Sequence, residues 1–112
     1  MYAIYRTKRF DKEFSKELSS EEQKEVETIE KKQLVENPYV GDTLHYRFFR
    51  EKKVGGKRIY FWIYDDLQAV LMVGVSDKKA QQETIDTIKA MLEEYYQLIR
   101  EIIRQHDEDG HV

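Results

Sequence analysis

Apolar positions change period near residue 38, and that change divides the chain. Before it, Phe10, Phe14 and Leu18 recur every four residues, which places them on one face of a helix. Ser19-Ser20 interrupts the pattern. Ser20 with Gln23 reads as a capping box opening a second helix from about Glu21 to Glu36. Val26, Ile29 and Leu34 or Val35 form its apolar stripe. Pro38 ends it, because the residue before a proline is pushed out of the helical region. With so short a joint the two helices make an antiparallel hairpin. Ahead of them, Tyr-Ala-Ile-Tyr-Arg at 2–6 is β-prone and reads as a first strand.

Beyond Pro38 the period is two. Leu44, Tyr46 and Phe48 share one face, and His45, Arg47 and Phe49 the other. After a turn at Gly55-Gly56, Ile59, Phe61 and Ile63 alternate with Arg58, Tyr60, Trp62 and Tyr64. The simplest assignment turns the Leu/Ile/Phe set toward the helical hairpin. It leaves His45, Arg47, Arg58, Tyr60, Trp62 and Tyr64 on the opposite face, with Arg47 and Arg58 near each other. Asp65-Asp66 marks a turn, and Ala69 to Val75 is apolar throughout, as in a strand covered on both faces.

The second cover comes from Ile85, Ile88, Leu92, Tyr95, Ile99 and Ile102, whose 3-4 spacing forms a helical seam. A helix from Lys78 to Gln105 is roughly 40 Å long at ~1.5 Å per residue. A strand of six or seven residues is only about 20–23 Å long, so the helix overhangs its sheet or breaks. The expectation is that its Tyr95–Ile103 half pairs with a second copy as a homodimer. The alternatives are that it occupies the groove of a partner helix, or folds back through a kink. The predicted fold class is α+β: an N-terminal strand, a helical hairpin, a three-stranded antiparallel meander and a long C-terminal helix. One domain is expected over residues 1–106, with a disordered polar tail at 107–112.

Composition narrows the function classes. A chain of 112 residues suits a single core. Charged residues make up 37%, well above the usual quarter. No apolar run approaches the length of a membrane span, and the first residues lack a signal-peptide layout, so a cytoplasmic protein is expected. Without cysteine there is no disulfide, thiol nucleophile or Cys-based zinc site. The net charge of −3 excludes indiscriminate binding to nucleic acid. Yet six Lys or Arg and one acid, Glu51, lie between Thr43 and Arg58, a local charge of +5. Such a basic, aromatic hairpin is a candidate surface for an anionic partner; the alternative is a solvated hairpin whose charges protect a strand edge. His45, His106 and His111 lack metal-ligand spacing, and Gly55-Gly56 lacks the helix and Lys-Ser/Thr of a phosphate-binding loop. No cofactor or metal is expected. His45 is either a general acid or base or a surface strand residue.

The order of elements resembles the RelE/ParE toxin superfamily. So do Phe10-Asp11-Lys12-Glu13-Phe14, Asn37-Pro38 ahead of Gly-Asp-Thr-Leu, and Arg47 on the next strand. Gly56-Lys57-Arg58-Ile59 is similar to the family's Gly-Asp-Tyr-Arg-Val/Ile element, and Val75-Ser76-Asp77-Lys78-Lys79 ends the last strand where relatives have an arginine-containing segment. The match covers about residues 2–92. It implies a ribosome-dependent mRNA endoribonuclease neutralised by a cognate antitoxin, with ribosome and mRNA as partners. Carried over, Arg47 and Arg58 match the two strand arginines, and Lys78 falls near the basic residue ending the last strand. These residues and His45 are the catalytic candidates. Lys52, Lys53 and Lys57 would steer the RNA backbone, and Tyr60 or Trp62 would stack a base. Alanine at Arg47 or Arg58 is then expected to abolish cleavage and leave stability within about 1 kcal/mol. Ribonuclease members carry a tyrosine or histidine in the last helical segment, which Lys79 to Ile85 lacks, and are more basic. The alternatives are therefore a ParE-like toxin that binds a protein target such as DNA gyrase, or an inactive relative acting as a binding module.

Overall fold

Thr7 starts the first helix. Its hydroxyl accepts the Phe10 N–H at 3.0 Å, so the chain passes directly from strand β1 (Ala3–Arg6) into α1 (Lys8–Glu17). The structure is a computed structural model and describes residues 1–109. The next cap is Ser19, one residue earlier than expected. Ser19 and Glu22 satisfy each other's backbone N–H groups at 3.1 and 2.9 Å, opening α2 (Ser20–Thr28). Gln23 instead donates its side-chain amide to the carbonyls of Phe14 and Leu18, at 3.2 and 3.1 Å, which closes the end of α1.

The second helix continues as a wider π-helical stretch, Ile29–Leu34, which turns Ile29, Glu30 and Leu34 inward. There Glu30 receives Arg6 through Nε at 2.9 Å and Nη2 at 2.5 Å. The same guanidinium lies 4.2 Å from the Phe14 ring centroid. This forked, part-buried pair ties the first strand to the second helix.

After Pro38 the chain forms β2 (Asp42–Leu44), β3 (Tyr46–Val54), β4 (Lys57–Tyr64) and β5 (Ala69–Asp77). The sheet order is β1-β5-β4-β3-β2. β1 runs parallel to β5, and the other pairs are antiparallel. The α+β class and the mainly antiparallel sheet are as expected, with β2 as an additional edge strand. Gly41 takes φ +74° where the chain enters that edge, and a Cβ there would lie 2.2 Å from the Glu51 carbonyl oxygen. Only glycine fits so close an approach.

Two cores flank the sheet. Phe10, Phe14, Val26, Leu34, Ile59, Phe61 and Ile63 lie under the helical hairpin. Phe49, Tyr60, Trp62, Leu71, Ile88 and Ile99 form the second. β4 alternates between the two cores as expected; Leu44 and Tyr46 do not face the helical hairpin. Register shifts between Thr43 and Leu44, and His45 sits at φ +66°. That left-handed residue breaks the pleat, so Leu44 and Tyr46 pack with the second core.

The C-terminal seam breaks at Ala90-Met91 into α3 (Gln81–Lys89) and α4 (Leu92–Asp109). Met91 N–H donates to the Ile88 carbonyl at 3.0 Å, tightening the joint. α4 folds back over the second core, burying Tyr95 and Ile99 against it. It reaches β1, where His106 meets the Tyr5 ring edge-on at 5.6 Å between centroids. The kink named as the alternative to a homodimer through Tyr95–Ile103 thus gives Tyr95 and Ile99 a partner within the chain, while Leu98 stays exposed. Helix α4 runs to Asp109, so the tail expected from 107 lies partly within it; residues 110–112 fall outside those described. Among the described residues no helix is long and apolar enough to cross a membrane.

Candidate functional site

Register decides which basic residues meet. Lys53 pairs across the hairpin with Arg58. On the other side of β4, Arg58 faces Ser76 and Lys57 faces Asp77. Lys78 follows directly, so Lys53, Lys57, Arg58 and Lys78 share the turn end of the sheet. Lys53 and Lys78 are exposed, while Lys57 reaches back to donate its Nζ to the Glu17 carbonyl at 2.5 Å. Lys52 and Lys53 both line a shallow groove with Glu25 and Lys32 beside the helical hairpin.

Arg47 does not join Arg58. Phe49 is already opposite Trp62, and Arg47 lies six residues from Lys53 along β3, about 20 Å at ~3.3 Å per residue. There its guanidinium covers the Tyr39 ring at 4.3 Å. His45 is at the same far end, exposed, its ring edge-on to Tyr46. The two strand arginines lie on one hairpin but at opposite ends of it.

Burial changes the character of the turn end. Arg58 is only 8% exposed, and its Nε lies 3.7 Å from Oε1 of Glu51, itself 3% exposed. Glu51 also accepts the Gln81 side-chain amide at 2.6 Å, which links β3 to α3. Beside them, the Ser76 hydroxyl donates to the Asp77 carbonyl at 3.0 Å. Its one proton is thereby used, so the Tyr60 hydroxyl donates to Ser76 at 2.8 Å. Burial pushes the Tyr60 phenol up to about 12, and the nearby Glu51 carboxylate adds to it. Tyr60 and Trp62 are fully buried, so neither offers a face to a base, contrary to expectation. Trp62 instead stacks on Phe49 at 4.2 Å. The exposed aromatic ring on β3 is Phe48, beside Arg47 at the far end of the strand and stacked on Tyr46 at 5.1 Å.

Glu51, Ser76 and Gln81 are the site residues that sequence reasoning missed. Glu51 was counted only as the one acid among six bases. Its alternation with Phe49 and Lys53 was the available signal, since it puts the carboxylate on Arg58's face.

The phenol shift sets a pH dependence. A raised pKa in the folded state means stability fully present below the ordinary tyrosine value near 10 and lost as pH climbs through about 12. Unfolding is therefore expected to accompany Tyr60 ionisation in that window. Absorbance titration at alkaline pH checks this, and Tyr60→Phe should shift the unfolding midpoint upward.

No family model matches the chain, and no curated protein does. Solved structures do. A mutant of the Escherichia coli RelE toxin in the free state is 18% identical, with a TM-score of 0.65, over 77% of this chain and 90% of that one. RelE in the intact E. coli RelBE toxin–antitoxin complex is also 18% identical, TM-score 0.60, over 69% and 96%. The Mycobacterium tuberculosis RelBE2 toxin–antitoxin complex gives 20% identity and a TM-score of 0.60, over 69% and 98%. The chain has the RelE-like fold.

Proposed function

We propose that this chain, built on the RelE-like fold, is the toxin of a type II toxin–antitoxin pair and cleaves mRNA on the ribosome in the cytoplasm. A small cognate antitoxin holds it in check; toxin–antitoxin complexes are among the matched structures, which supports that partner. The observation that carries the reading is the gathering of Lys53, Lys57, Arg58 and Lys78 at one end of the sheet.

Cleaving RNA with its own 2′-hydroxyl needs a base for that proton, cations for the phosphorane charge and a proton for the leaving 5′-oxygen. Lys53 and Lys78 steer the phosphate from solvent. Arg58 exchanges the Glu51 carboxylate for a phosphate oxygen, which its planar fork matches equally well. The released Glu51 takes the 2′-hydroxyl proton, while the Lys78 ammonium protonates the leaving oxygen. Tyr60 holds its proton too tightly at neutral pH to serve as the base. His45 is at the wrong end of the hairpin.

Lys53 and Lys78 allow a clean test because both are exposed. The double Lys53→Ala, Lys78→Ala variant should lose new mRNA 5′ ends by at least tenfold on induction, as mapped by primer extension. Its unfolding free energy should stay within about 0.5 kcal/mol of the parent. A parent chain that yields no new ends overturns the nuclease reading. The second reading, a ParE-like toxin acting on a protein target, is favoured by the buried Arg58–Glu51 pair. Growth arrest without mRNA cleavage is its signature.

A further inference from the structure

The basic end of the sheet continues past Arg58 onto the side of the molecule. β2 covers β3 only as far as Glu51, and β3 has no other neighbouring strand on that side. Lys52, Lys53 and Val54 are therefore a free edge, and such an edge carries unpaired backbone N–H groups. The two lysines line a groove of about 450 Å³ whose other bank is the helical hairpin, with Glu25 from α2 and Lys32 and Gln33 from the π-helical stretch. Lys32 and Lys53 are exposed and Lys52 is half-buried. Among the described residues none of the three is held in an ion pair. Three lysines against the single carboxylate of Glu25 leave the groove at +2.

The neighbouring surfaces differ. Across the hairpin a second groove holds Lys31, but there Arg6 is bound to Glu30 and Glu27 stands beside them. The far end of the β3–β4 hairpin is bordered by Asp65, Asp66 and Glu93. Lys53 alone belongs both to the turn end, where it lies opposite Arg58, and to the basic groove. A strand whose scissile phosphate sits at Arg58 carries further phosphates, which acidic surfaces repel and unpaired lysines attract. The groove is the basic surface continuous with that position.

We propose that the groove between β3 and the helical hairpin is the track along which single-stranded RNA leaves the Arg58 end. The inference rests on the RNA-cleaving reading for its ligand and adds Lys32, on a different element, to the residues that hold it. Lys52 and Lys32 contact the phosphates that follow the one at Lys53, and the free edge of β3 donates N–H groups to the same backbone. Contacts of this kind fix the position of the strand and carry no sequence information.

The test uses the full chain and a fluorescent RNA oligomer methylated at every 2′-hydroxyl, which removes the attacking group and keeps the strand whole. Anisotropy titrations at several salt concentrations give the slope of log affinity against log salt. Lys32→Gln is expected to make that slope shallower by about 0.7, the share of one phosphate on a single strand, and Lys32→Gln with Lys52→Gln by about 1.4. Both variants should melt with the parent. Lys31→Gln, which alters the other groove, should leave the slope unchanged. An unchanged slope in the double variant, an equal change in Lys31→Gln, or no saturable RNA binding by the parent would each overturn the proposal. So would equal affinity for a poly-glutamate peptide, which would mark the groove as a surface for an acidic protein. Saturable binding with the expected slopes, by a parent that yields no new mRNA ends on induction, would remove the nuclease and leave the track.

Discussion

Glu51→Ala is expected to destabilise the protein by about 3–5 kcal/mol, the usual result of removing one partner from a buried ion pair. The change strips Arg58 of its carboxylate while the guanidinium stays under the β3–β4 hairpin and α3. It also releases Gln81, and with it one of the bonds between β3 and α3. Arg58→Ala should do comparable harm, by stranding Glu51. An exposed arginine would have been almost neutral to stability, and that was the expectation from sequence. Replacing both partners together, as Glu51→Leu with Arg58→Met, should recover most of the loss, since well-packed apolar residues substitute for a buried pair at little cost. Urea unfolding of the three variants measures each of these values. A single-site loss under 1 kcal/mol would mean that solvent reaches the pair. Because of this coupling, lost toxicity in Arg58→Ala cannot be assigned to chemistry unless folding is measured alongside.

Ending the chain at Glu94 should unfold the domain. Truncation there removes Tyr95 and Ile99, both buried, together with the half-buried Ile102 and Ile103. At about 1.5–3 kcal/mol per buried apolar side chain, the loss is on the order of the 5–15 kcal/mol that holds a whole domain together. Trp62, the only tryptophan, lies under α4 with its ring centroid 6.5 Å from that of Tyr95. Its emission should therefore shift to the red, and light scattering should report association through the uncovered sheet. A truncated chain that remains monomeric, with the emission of the parent, would show that α4 is dispensable to the fold.

Local periodicity made most of the architecture legible. Pro38, the spacing of four before it and the spacing of two after it sufficed for the helical hairpin and the strands. What failed did so for identifiable reasons. His45 adopts a left-handed conformation that nothing in its neighbours required, and one such residue turns Leu44 and Tyr46 to the other face. The seam from Ile85 to Ile102 was read with the right apolar positions, but its break falls at Ala90-Met91, where neither glycine nor proline marks it. A helix that seemed to overhang the sheet therefore lies across it. Charge pattern located the basic end of the hairpin, including Lys53, Lys57 and Arg58. It said nothing of depth, and depth separates exposed Lys53 from buried Arg58. Tyr60 and Trp62 were aromatic residues on the expected face; α3 and α4, which come later in the chain, withdraw that face from solvent.

The parallel pairing of β1 with β5 bears on how the molecule comes into being. Ala3 lies beside Ala69 and Arg6 beside Met72, so the strand made first must wait for the strand made last. Loop closure over so long a span is entropically slow, and pairings of this kind lower folding rates. The central strand cannot be flanked on both sides until residue 77 has been synthesised, and the second core cannot close until α4 follows. The β3–β4 hairpin can close early through its two-residue turn, but the complete sheet is assembled only as a late event.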